Sequence, residues 1–384
     1  MTNVADTTSA PATVAALTRD KRFLFNPVID FFCLGGSSLL LLPLLFVLPE
    51  ADYRAPIATT MLLIAHLLNH PHFAHSYQIF YRGFATKAFR PDLGRTMQAR
   101  YIFAGVVVPI LLFSFCAIGI LREDARMLGY GGNIMALFVG WHYVKQGYGM
   151  LMVDAVLKRK FFKEPEKKVF LANSYLVWIF AWLSVNATVS QQKLWGLQYY
   201  SFAIPAPIVT AAGLAALASG LLSLWVLISR YRANGGLPLN GVLAYAVSLY
   251  LWLLFVRINP LWLLIVPALH SLQYLIVVWR YELNYERGRV GALEPIAVPL
   301  VERVFGSRYY ASMTLFVATG IVIGYLGFWG VPRFLDSIVP YDKQVFGGTL
   351  FLFVFWIFIN VHHYFLDNVM WRRENPDTRK YLFS

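Results

Sequence analysis

The sequence predicts an all-α fold, a polytopic transmembrane helical bundle of about ten spans with both termini cytoplasmic. Three observations carry this expectation. Of 384 residues, 58% are hydrophobic and 14% charged, whereas a soluble chain carries roughly a quarter charged residues. Apolar runs long enough to cross a bilayer recur along the chain, and its mean hydropathy is +0.56. Lys and Arg gather in alternate gaps between those runs.

The runs fall near 28–49, 56–81, 99–121, 132–156, 169–189, 201–229, 238–256, 259–280, 309–331 and 345–371. Each is expected to be helical, because lipid offers backbone groups no other partners. Pro205 and Pro207 mark an interfacial start to the sixth run. Residues 1–20 read as a disordered tail, not a signal peptide, since no basic stretch leads into an apolar core there. Residues 21–384 then form a single transmembrane domain. With the N-terminus inside, cytoplasmic segments hold 25 of the 33 Lys and Arg, outer segments hold seven, and Lys145 falls within a span. This bias sets the orientation. It also accounts for the net charge of +13 without a nucleic-acid partner. Membrane lipids, most simply those of a bacterial inner (plasma) membrane, are the expected surroundings. Cys33 and Cys116 lie in apolar runs without CxxC spacing, so neither a disulfide framework nor a thiol metal site is expected.

All eight histidines lie in even-numbered runs: His66, His70, His72 and His75 in the second, His142 in the fourth, His270 in the eighth, His362 and His363 in the tenth. Ionisable side chains within a bilayer are costly and usually functional. Ten residues separate His72 from Arg82, His270 from Arg280, and His362 from Arg372. That is about 15 Å of helix in each case, which sets three imidazoles at one depth near the midplane. His142 lies farther from its basic boundary at Lys158, but Gly147, Gly149 and Asp154 suggest a helix that loosens earlier. Four helices are thus expected to present imidazoles to one point.

Several histidines with few carboxylates suit iron, zinc or copper better than magnesium or calcium. The expected metal ligands are His72, His142, His270 and His362, with His363 competing for the last place because neighbours differ by about 100° around a helix. In the segment HLLNHPHFAH, His66 and His70 share one face while His72 and His75 project to another; Pro71 is expected to kink the helix and aim His72 inward. His66, His70 and His75 remain candidates for further ligands or for packing roles. Asp367, Gln146 and Tyr274 stand four residues after His363, His142 and His270. Asp367 and Gln146 are expected to orient rings, and Tyr274 to donate a hydrogen bond to dioxygen.

The four clusters in order read HPHFAHSY, WHYVKQGYG, ALHSLQYL and HHYFLDNVMWR. Their order resembles the bacteriorhodopsin-related membrane family Brp/Blh, whose members cleave β-carotene to retinal with non-haem iron held by transmembrane histidines. Pro71-His72 resembles the family's first Pro-His, His142 its His-Phe-Gly element, His270-Ser271 its His-Ser element, and His362, Asp367 and Arg372 its last motif. Two family aspartates are absent: Ser76 follows His72 by four residues and Gly147 follows His142 by five. Tyr274 stands where the family has a second histidine. The resemblance covers about 35 residues and implies non-haem iron, dioxygen and a lipophilic substrate.

The expected function is therefore an integral-membrane non-haem iron oxygenase acting on a carotenoid-, sterol-, quinone- or acyl-like molecule. A di-iron hydroxylase is a weaker variant, since His66 and His70 have HxxxH spacing but no HxxHH occurs. The alternatives are a bis-histidine haem protein transferring electrons to quinone, with His142 and His270 as a candidate pair, and a proton-coupled transporter using histidine with Lys145, Asp154 and Glu282.

Overall fold

The apolar runs are largely helical, but several are interrupted, and the interruptions position the histidines. The computed structural model describes residues 22–188, 192–194, 196–255, 261–290 and 308–383. The expected tail at 1–20 lies outside the described residues.

The helices are α1 (Pro27–Phe31), α2 (Ser37–Val47), α3 (Glu50–Ala65), α4 (Asn69–Tyr81), α5 (Phe84–Ala88), α6 (Arg95–Ile102), α7 (Val108–Leu121), α8 (Ala125–Leu157) and α9 (Glu164–Thr188). They continue with α10 (Ala206–Asn234), α11 (Leu239–Ala246), α12 (Trp262–Val290), α13 (Arg308–Tyr325), α14 (Val331–Ile338), α15 (Lys343–Phe346), α16 (Leu350–Met370) and α17 (Pro376–Leu382). A two-stranded antiparallel hairpin pairs β1 (Gln192–Leu194) with β2 (Leu197–Tyr199). Among the described residues, six helical stretches are long and apolar enough to cross a membrane: Arg95–Leu121, Glu164–Thr188, Ala206–Ala233, Trp262–Arg289, Tyr310–Ile338 and Leu350–Met370. The chain is all-α in character and built as a membrane protein.

Among the described residues, four π-helical turns lie within or beside these helices, at Phe32–Gly36, Phe103–Val107, Val247–Leu251 and Leu326–Gly330. Each frees backbone carbonyls from the regular ladder. The second run breaks at residues 66–68, around the Leu67 carbonyl that the missing Pro71 N–H leaves without its helical partner. Pro71 falls in the first turn of α4, where its missing N–H leaves no gap in that helix's own ladder. The expected loosening of the fourth run is not seen, since α8 continues through Gly147 and Gly149 to Leu157. Gly147 instead admits a close neighbour: a Cβ there would meet the Ser248 Cβ at 2.7 Å.

The bundle centre joins α4 to α12, α13 and α16, and α8 to α9, α11 and α16. Small residues permit the closest approach. On α13, a Cβ at Gly324 would meet the His70 backbone carbonyl at 2.7 Å, and one at Gly320 would run into the His75 ring. The outer faces are apolar and exposed, as Leu214, Leu217, Leu221 and Trp225 on α10 and Ile110, Leu111 and Phe113 on α7 illustrate. Charge is neutralised at the bundle end by a bidentate pair, Arg82 Nη1 and Nη2 to Glu282 at 2.6 and 2.8 Å, beneath which Tyr285 lies 3.8 Å from the guanidinium.

Candidate metal centre

The break before α4 starts that helix at Asn69, so His72 lies in its first turn and turns inward, with no part of its surface exposed. His142 lies at the middle of α8, His270 on α12, and His363 on α16, all buried. Their rings meet. The His72 ring centroid is 4.5 Å from that of His363, 5.0 Å from His270 and 6.3 Å from His142. The His142 ring is 4.9 Å from both His270 and His363.

The free nitrogen atoms face one another. One ligand atom from each of His72, His142 and His270 lies within 4.8 Å of the others, as do one from each of His142, His363 and Asp367. His72 Nε2, His142 Nε2, both nitrogens of His270, His363 Nε2 and Asp367 Oδ2 are buried without a hydrogen-bond partner. Asp367 Oδ2 is 3.4 Å from His363 Nε2 and 3.8 Å from His142 Nε2. Buried polar atoms are normally paired, and an unmade pairing is costly. Acceptors turned toward one another repel unless a cation or proton lies between them.

The far sides of two rings are engaged. His72 Nδ1 lies 3.2 Å from the Asn69 carbonyl and 3.3 Å from Ser271 Oγ. Donation from Nδ1 to that carbonyl leaves the Nε2 lone pair directed inward. His363 Nδ1 lies 2.7 Å from Ser76 Oγ. Asp367 Oδ1 accepts from the Tyr274 hydroxyl at 2.8 Å and from Ser76 at 3.1 Å; the two hydroxyls are 2.6 Å apart. The Tyr364 ring stacks on His142 at 4.5 Å, and the Tyr143 ring lies 4.3 Å from His270. Both exclude water.

The geometry revises several expectations. His363, not His362, joins the cluster. The His362 Nδ1 meets the Tyr77 hydroxyl at 3.0 Å, and its Nε2 donates to the Ala104 carbonyl at 3.1 Å, a carbonyl within the π-helical turn at Phe103–Val107. Gln146 does not orient His142; its Nε2 donates to the His270 carbonyl at 3.2 Å and to Gln273 Oε1 at 2.9 Å. Tyr274 is committed to Asp367 and Ser76. His66 and His70 pack against Trp329 and Phe328, while His75 stacks on Phe316 at 4.3 Å and contacts Gln78 Oε1 at 2.7 Å. These three histidines line the α13 side and do not reach the cluster.

Ser76 and Asn69 join the site without a motif that announces them, as does Ser271, which the sequence marks only as the second residue of its His-Ser element. Ser76 carries a signal of its own in the sequence, because it is one helical turn beyond His72 and so shares its face. Comparison with protein-family profiles, with curated proteins and with solved structures finds no match for this chain.

Proposed function

We propose that the protein is an integral-membrane metal-dependent oxygenase whose centre is held by His72, His142, His270, His363 and Asp367. One observation carries the reading: buried and unpartnered nitrogens from four helices, with a carboxylate oxygen, gather in two overlapping sets that share His142. The donor set fits iron or zinc, and non-haem iron is preferred because the cluster motifs resemble those of Brp/Blh proteins. Haem fits poorly, since rings 4.5–5.0 Å apart leave no width for a macrocycle. A proton-relay transporter is disfavoured, because Asp154 is held by Lys158 and the Gly241 N–H and Glu282 by Arg82.

A bound iron would supply one-electron and dioxygen chemistry. The chain's own residues do the rest. Asn69 and Ser271 fix the His72 ring, and Ser76 fixes His363. Asp367 Oδ1 accepts hydrogen bonds from Tyr274 and Ser76, which hold the carboxylate with Oδ2 turned toward the centre. Tyr143, Tyr364 and Phe73 keep the site dry. The proposed substrate is a lipophilic carotenoid-, sterol-, quinone- or acyl-like molecule entering from the bilayer with dioxygen. Ten crossings, cytoplasmic termini and a bacterial inner membrane complete the proposal.

The test is elemental analysis with an absorption spectrum on protein purified in mild detergent, followed by oxygen uptake with a panel of such lipids. About one iron per chain, no Soret band and lipid-dependent oxygen uptake are expected. A Soret band, or the absence of any stoichiometric metal, would overturn the reading.

A further inference from the structure

The cation left within a span, Lys145, has a place the metal centre does not explain. It lies three residues after His142 on α8, about 4.5 Å nearer the cytoplasmic end of that helix by helical rise. It belongs to a half-buried stripe, Trp141, Lys145 and Tyr148, spaced by four and three residues along one helix face. Gly149, one turn beyond Lys145, borders open space, for a Cβ there would meet nothing within 4 Å. The Lys145 ammonium approaches the Tyr148 and Tyr175 rings at 5.9 and 6.0 Å. Among the described residues it has no hydrogen bond or salt bridge.

The nearby charge is mixed. Arg372, at the end of α16, folds back so that its Nε donates to the Asn368 carbonyl at 2.8 Å. Its charge acts on Lys145, and Arg100 and Glu374 act on Arg372 in opposite senses. Among the described carboxylates, the one that acts on Lys145 is the exposed Glu374. An ammonium at the edge of a low-dielectric region that has no hydrogen bond or ion pair of its own is stabilised by an added anion. Along the same stripe, away from the cytoplasm, the surface turns aromatic: Trp141 and Phe138 lie 6.3 and 5.4 Å from Phe365, and Phe103 lies 5.9 Å from it. A charged mouth and an aromatic wall match a single-chain acidic lipid.

We propose that Lys145, with Arg372, anchors the anionic head group of a lipid, a carboxylate or phosphate, whose chain lies along Trp141, Phe138 and Phe365. Resting on the oxygenase reading, this narrows the substrate to an acidic acyl or isoprenoid lipid held beside the histidine cluster. The anchor selects and orients the substrate, and Lys145 takes no part in holding metal.

The test uses quenching of tryptophan emission in the detergent-solubilised full chain by 9,10-dibromostearate and by its neutral counterpart 9,10-dibromostearyl alcohol. The signal assigned to the seam is the part lost in Trp141→Phe. Dibromostearate is expected to bind at least tenfold more tightly than the alcohol. Lys145→Gln should abolish that preference, and Lys145→Arg should retain it. Metal content, measured on the same preparations, should be unchanged in both variants. Equal affinity for acid and alcohol, or an unaltered preference in Lys145→Gln, overturns the anchor. Displacement by millimolar inorganic phosphate alone, without lipid preference, overturns the lipid in favour of a small-anion site. Acid-selective quenching in a protein that holds no metal would sustain the anchor and overturn its role in substrate selection.

Discussion

His362 and His363 are adjacent on one helix, both almost wholly buried, and they serve opposite ends. His362 has both nitrogens engaged, by the Tyr77 hydroxyl and by a carbonyl that a π-helical turn sets free. His363 has one nitrogen tied to Ser76 and the other bare, facing Asp367 and the His142 imidazole. The first is a completed piece of structure. The second belongs to a group that could hold a metal ion. Burial does not separate them; what distinguishes His363 from His362 is a second nitrogen that is unpartnered and also lies among other ligand atoms.

The sharpest way to break this contrast is to remove each ring in turn. His72→Ala, His142→Ala, His270→Ala and His363→Ala should each reduce metal from about one equivalent to a small fraction, read by elemental analysis after purification. His362→Ala should keep its metal while losing stability, of order 1–3 kcal/mol, because the Ala104 carbonyl and the Tyr77 hydroxyl are left unpaired. Equal metal loss from His362→Ala and His363→Ala would erase the distinction.

A smaller effect is expected at Asp367. Its Oδ2 is the carboxylate oxygen directed at the cluster. Asp367→Asn preserves shape but removes the negative charge, and metal affinity should fall roughly 10- to 100-fold, measured by competition with a chelator. If Asp367 acts only through its hydrogen bonds from Tyr274 and Ser76, Tyr274→Phe should weaken metal binding equally. A much larger loss for Asp367→Asn would mark the carboxylate as a ligand.

Part of this site is legible in the amino-acid sequence. The restriction of histidines to alternate runs, and their common distance from basic boundaries, follows from helix rise and membrane thickness, and both reduce to spacing along the chain. Which of two adjacent histidines faces inward depends on the rotation of α16, and spacing does not encode rotation. The acceptor that takes His362 is the Ala104 carbonyl, 258 residues away along the chain. It is set free by the Phe103–Val107 turn, and its role arises only when α16 packs against that turn. The break at 66–68 is more legible, since the missing Pro71 N–H falls opposite the Leu67 carbonyl. Pro71 signals an interruption, but a proline is equally content in a first turn, so the chain breaks ahead of it.

Ser76 offers the next test in size. It joins His363, Tyr274 and Asp367 in one hydrogen-bond set, so Ser76→Ala frees the His363 ring without removing any ligand. Metal affinity should fall by up to about tenfold, at the low end of what an orienting partner contributes. Ser271→Ala, which loses a contact shared with the Asn69 carbonyl at His72, should fall less. The reverse order would mean that His72, not His363, is the ring whose orientation limits the site.

The smallest effect on the site should come from the α13 side, where His70 and His75 pack. Gly324→Ala sets a methyl group against the His70 backbone, which cannot turn aside, whereas Gly320→Ala meets the His75 ring. Overpacking of this kind costs about 1–3 kcal/mol, and the loss should be greater at Gly324 because backbone must shift. Thermal unfolding in detergent would report both losses. Metal content should stay at the wild-type level in each, because His70 and His75 support the packing of α4 on α13 and do not reach the cluster. A loss of metal in Gly320→Ala without loss of stability would instead give His75, whose Nε2 is also buried and unpartnered, a part in the centre.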